Sequence, residues 1–93
     1  MLRIKKISDV LNLRVFTDSG DFVGAIEEAN LLENKVDSWR IRVDSTGNIA
    51  SYLGGAKGLV IPHQFVKAVG EVVIISRSAL PVKERVEQEP EQI

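Results

Sequence analysis

Trp39, Ile41 and Val43 alternate with Ser38, Arg40, Arg42 and Asp44, the clearest two-faced strand pattern in the chain. A period of two places the first set on a core face and the second on an outer face. The same period recurs upstream, with Leu13, Val15 and Thr17 opposite Arg14 and Phe16, and it predicts another strand. Asp18-Ser19-Gly20-Asp21 then reads as a tight turn, where Gly20 accepts positive φ and Asp18 can bond the backbone two residues on. Phe22 to Ile26 is the returning arm of a hairpin, and Gly24 within it signals a bulge or a close backbone approach. Residues 2–5 also alternate (Leu2, Arg3, Ile4, Lys5) and predict a half-buried strand.

Other stretches are less regular. Glu27 to Glu33 favours helix by propensity, yet it is short and lies between β patterns. It is read as a continued, bent strand ending in the turn Glu33-Asn34-Lys35. Ser8 and Asp9 are a helix-start signal, with Val10 and Leu11 anchoring one turn. Asn48 to Leu53 can form a helical turn or two, stopped by Gly54-Gly55. Leu59-Val60-Ile61 is a short strand that Pro62, lacking an amide donor, brings to its end. Phe65, Val66 and Val69 have helical spacing, and Gly70 precedes the apolar run Val72-Val73-Ile74-Ile75. Ser78 to Ile93 has Pro81, Pro90, several Glu and Gln and few large apolar residues, so disorder is expected there. The result is one mostly β domain over residues 1–77, of five to six short strands and two or three helical turns, followed by an acidic tail over 78–93. Closing so short a sheet into a small barrel would remove its edges.

With 93 residues the chain has room for one thin core, a situation often relieved by a partner subunit. It has no cysteine, which excludes disulfides, thiolate nucleophiles and cysteine metal sites. No apolar run approaches the roughly 20 residues that span a bilayer. The first residues lack the apolar centre of a signal peptide, so a cytoplasmic protein without a transmembrane segment is expected. Residues 1–77 carry ten Lys/Arg against nine Asp/Glu, and 78–93 carry two against four. A balanced body argues against strong nucleic-acid binding, which needs clustered positive charge.

The chain resembles the PRC-barrel superfamily, a β-barrel module named from the photosynthetic reaction-centre H subunit. The matching residues are Ser8-Asp9-Val10-Leu11 leading into Leu13-Arg14-Val15, the turn Gly20-Asp21, Val23-Gly24 with Ile26, and Ile61-Pro62, Val66 and Val69-Gly70-Glu71-Val72-Val73-Ile74. The resemblance covers roughly residues 3–76. Asn12 departs from the pattern, standing where many members have glycine, but Asn tolerates left-handed backbone. The resemblance implies a PRC-type barrel acting as a non-enzymatic adaptor or scaffold. It is nearest to stand-alone archaeal members similar to cell-division proteins that associate with SepF, the membrane anchor of FtsZ. It therefore implies self-association as a homodimer or higher assembly, a SepF-like partner, and a place at the division site. The alternative, from another branch of the superfamily, is an RNA- or ribosome-associated maturation factor.

Candidate chemistry is sparse. His63, the single histidine, follows Pro62 and reads as a partly exposed turn residue, with no partner poised for proton transfer. Asp18, Asp21, Glu27 and Glu28 lack the fixed spacing of a calcium loop, and Gly54-Gly55-Ala56-Lys57-Gly58 lacks the Walker pattern. No catalytic, cofactor or metal residues are therefore assigned. Trp39 is read as a core residue, either wholly inside or with its indole nitrogen reaching the rim. Arg40 and Arg42 form a basic stripe, with Arg3 and Lys5 as possible neighbours, that is either a solvated face or a surface that docks an acidic partner or makes weak contact with an anionic membrane. Leu80, Pro81 and Val82 could anchor a docking segment in the tail, which is otherwise a solubilising appendage. If the strand Val72–Ile75 is central, all four residues are core. If it lies at an edge, Val73 and Ile75 seed a subunit interface, and the thinness of the core favours that reading.

Overall fold

The computed structural model describes residues 4–80. Within them lie β1 (Arg14–Thr17), β2 (Phe22–Leu32), β3 (Lys35–Val43), β4 (Gly58–Pro62), β5 (Val66–Val69) and β6 (Val73–Ile75). They form one sheet in the order β4-β3-β2-β1-β6-β5, antiparallel except where β1 meets β6. A one-turn helix α1 (Ile7–Val10) precedes β1, and 3-10 turns cover Asn48–Leu53, His63–Phe65 and Arg77–Ala79. The mostly β class, the hairpin turn at Gly20 and the bent second strand agree with the alternation pattern.

The edge strands β4 and β5 are consecutive, joined only by His63–Phe65. Six strands laid flat would separate their edges by about 24 Å, five spacings of about 4.8 Å. The four steps from Pro62 to Val66 reach about 14 Å at most. The sheet must therefore curl. It is curled but not closed into a barrel, because no ladder joins β4 to β5. Pro62 cannot donate to a ladder, and the turn after it sends the chain to the other edge instead of back along β4.

Irregularities in the ladders supply the bend. The β1–β2 register shifts between Val15 and Phe16, and the β2–β3 register shifts near Glu27 and again near Leu31. At Gly24 the chains come so close that an added Cβ would stand 1.9 Å from the Arg42 carbonyl oxygen. Asn12 (φ 71°) and Glu33 (φ 58°) take left-handed backbone at the entrance to β1 and at the β2–β3 turn.

Inside the curl Val15, Val23, Ile26, Ile41, Ile49, Ile61, Val73 and Ile75 are all fully buried. Each contributes about 1.5–3 kcal/mol of transfer free energy. Two polar groups in this interior are satisfied. Thr17 Oγ1 accepts from the amides of Ser19 and Asp21, and Ser38 Oγ accepts from Asn30 Nδ2. At the turn after β1, Asp18 accepts from the Arg77 amide at 3.0 Å and pairs with Lys67 Nζ at 3.1 Å. These bonds, the Arg77 amide first, hold its carboxyl below the ordinary value.

Several expectations are corrected. Residues 4 and 5 belong to no strand, and Ile4 is 86% exposed. Val66 to Val69 is a strand and not a helical turn, because pairing with β6 satisfies more backbone than one turn could. The ordered fold runs past residue 77, since Ser78 and Ala79 complete a 3-10 turn and Leu80 is buried. Residues 81–93, the rest of the expected tail, lie outside the described residues.

Gly24→Ala is expected to cost about 3 kcal/mol or prevent folding, since the clash is with backbone. Gly70→Ala, which meets open space, should leave the melting temperature within a few degrees. Thermal melts of both variants check this. Asp18 adds a pH dependence. Its folded-state value lies below the ordinary 3.8, so its stabilisation is fully present above 3.8 and fades as pH falls through the folded value. Asp18→Asn should therefore melt lower than the parent at pH 6, with the gap narrowing towards pH 2.

Candidate functional site

Two concave surfaces stand out on the curled sheet. The first is an apolar groove of about 340 Å³ lined by Lys5, Ile7, Val10, Val36, Trp39 and Val69. It brings together α1, the first half of β3 and the end of β5, three segments far apart in sequence. Helix α1 is a single turn from Ile7 to Val10 and buries Val10, while Ile7 stays 42% exposed. Val69 ends the edge strand β5 and is 38% exposed. Ile4, just before Lys5, is more exposed still.

Trp39 forms the back of this groove. It is 6% exposed, and its indole Nε1 donates to His63 Nδ1 at 3.0 Å. That bond requires the neutral imidazole to carry its proton on Nε2. It also ties β3 to the turn joining the sheet edges. Trp39 is thus a core residue, as its sequence position suggests, and its polar atom reaches the rim. His63 is an exposed turn residue whose Nδ1 serves structure.

The second surface is a cleft of about 400 Å³ on the outer face, lined by Arg14, Phe22, Ala25, Arg42, Asp44 and Ser45. Cross-strand register builds it: Arg14 lies opposite Ala25, and Ala25 opposite Arg42. Two exposed guanidinium side chains therefore flank one small residue across three strands. Arg14 also lies 5.8 Å from the Phe16 ring, and Phe16 pairs with Phe22 at 5.3 Å. Asp44 accepts from the hydroxyl and amide of Thr46. Those bonds, hydroxyl first, and then the charge of Arg42, hold its carboxyl below the ordinary value.

The residues singled out from sequence fall into different places. Val73 and Ile75 are 1% and 0% exposed, so they are core and not a subunit interface. Strand β6 is interior to the sheet, between β1 and β5, and its other face carries the half-buried Ile74. Leu80 is buried at 4% exposure and closes the core, so it does not present itself to a partner. Val82 and Arg3 lie outside the described residues. Arg40 bonds Glu27 at 3.0 Å through Nε, which leaves Arg42 as the member of that pair facing the cleft. Lys5 is beside Trp39, on the other face of β3 from Arg40 and Arg42. The structure thus adds Arg14, Ile7, Val36 and Val69 to the candidate surfaces. Alternation hinted at Arg14, but its neighbour Arg42 follows only from the register.

Among the described residues no group of three His, Asp or Glu side chains is placed to hold a metal ion. Among them also, no helix is long and apolar enough to cross a membrane.

His63→Ala should lower stability by about 1 kcal/mol, the net worth of one hydrogen bond at a nearly buried donor. The change should also appear in the fluorescence of Trp39, the single tryptophan. An unchanged melt with an unchanged spectrum would remove the structural role given to the pair. Comparison with known proteins does not narrow the field: no protein-family model matches the chain, and no curated protein matches it.

Proposed function

We propose that this chain is a non-enzymatic protein–protein adaptor that self-associates, using the apolar groove between α1, β3 and β5 to hold a second copy of itself. The observation that carries this reading is the groove and its rim. Ile7, Val36 and Val69 meet there beside the strongly exposed Ile4, and β5 is an edge strand of the sheet among the described residues. An edge strand next to an apolar hollow is a ready template for another chain. Covering it would add apolar burial to a core that is thin for a domain of this size. The PRC-type resemblance extends the proposal to a scaffold role in the division machinery, with a SepF-like protein as the further partner. The ribosome-associated alternative would draw on Arg14 and Arg42, and two guanidinium groups are few for gripping a phosphate backbone.

Light scattering should give a mass at least twice the 10.3 kDa of one chain. Ile7→Lys and Val69→Lys, both at exposed positions, should shift it towards one chain while leaving the melt cooperative. Val73→Lys should instead unfold the protein, because it buries an unpaired charge. A single-chain mass for the parent at high micromolar concentration would end the self-association reading. Retention on a polyanion column at low salt, lost at moderate salt, would favour the ribosome-associated alternative.

A further inference from the structure

We propose that the Arg14–Ala25–Arg42 cleft is a docking site for the chain's own acidic segment Glu87–Glu91. This goes beyond the self-association reading and does not rest on it, since the groove and the cleft use different residues.

The cleft has the chemistry for carboxylates. Arg14 and Arg42 are exposed and stand two strand spacings apart, about 10 Å, over the small Ala25. Neither has an ion pair among the described residues, whereas Arg40 next to them is paired with Glu27. Asp44 is the one carboxylate lining the cleft, and its acceptor oxygen Oδ1 already serves the Thr46 amide and hydroxyl. Guanidinium groups form strong, directional bonds with carboxylates.

The segment has the matching pattern. Glu87, Glu89 and Glu91 recur at every second position. In an extended chain they share one side, at intervals of about 7 Å. The arginine spacing of about 10 Å lies between one interval and two, within the adjustment of flexible arginine side chains. Pro90 biases Glu89 towards extended backbone.

Reach also suffices. The Arg77 amide bonds Asp18, which directly follows β1, so the chain approaches residue 80 beside the end of the strand that carries Arg14. Arg14 is four residues, about 13 Å, along β1 from that point. Residues 81–87 add up to about 24 Å of chain after the buried Leu80. A tether this short keeps the segment near the cleft at high effective concentration, which offsets the small worth of exposed ion pairs.

The test is solution NMR on the full chain. The parent is compared with R14Q/R42Q and with E87Q/E89Q/E91Q, at 20 mM and 500 mM salt. R14Q/R42Q should move the amide resonances of residues 87–89 and 91, and high salt should move the parent's resonances in the same direction. E87Q/E89Q/E91Q should reciprocally move the amides of Arg14, Ala25 and Arg42. Unchanged resonances elsewhere in residues 4–80 confirm that each variant is folded. Tail resonances indifferent to both the arginine changes and salt would overturn the proposal. So would shifts that vanish on tenfold dilution, which would hand the cleft to the tail of a neighbouring molecule. Failure here leaves the scattering result for the groove untouched.

Discussion

The short His63–Phe65 link between the two edge strands governs how the rest of the molecule is arranged. With so little chain between them, β4 and β5 cannot sit at opposite margins of a flat sheet. The curl that follows creates an inside and an outside. Bulges near Val15, Glu27 and Leu31 let the strands bend, and Gly24 lets β2 press against the Arg42 carbonyl. The Trp39–His63 hydrogen bond then fastens the link to β3 at the point where the curvature is imposed.

A curled sheet with open margins has consequences for what the protein can do. Its interior is filled by aliphatic side chains, and the buried Thr17 and Ser38 are occupied in a turn and a cross-strand bond. What remains is surface. One hollow, beneath α1, is apolar and borders the edge strand β5. The other, on the outer face, is cationic with two phenylalanines alongside. Different partners suit them: the first suits another apolar surface, the second a carboxylate-bearing segment. The adaptor role proposed above draws on both of these chemically distinct surfaces of one sheet.

Asp18 shows how few polar contacts tie the ends of such a small fold. It sits in a tight turn, yet it joins the β1–β2 hairpin to the edge strand through Lys67 and to the last turn through the Arg77 amide. Arg77 in turn lies over the Tyr52 ring at 4.8 Å. These exposed contacts add modest stability individually. Their value is in position, because they pin the 3-10 turn at Arg77 and the edge strand β5 to the β1–β2 hairpin.

Much of this was legible in the residues alone. Alternation at Leu13–Thr17 and Trp39–Val43 located strands and their inner faces, because the two-residue period of a strand is a local property. Turns at Gly20, Glu33-Asn34 and Gly54 were readable for the same reason. Helical spacing at Phe65, Val66 and Val69 misled, since pairing with β6 outweighed local preference. Val73 and Ile75 were misplaced because burial depends on strand order, which puts β6 between β1 and β5. Nor could alternation show that Arg14 and Arg42 flank Ala25, or that Ile7, Val36 and Val69 share a groove. Those neighbourhoods arise from register and curl, which belong to contacts between distant segments and have no local signature.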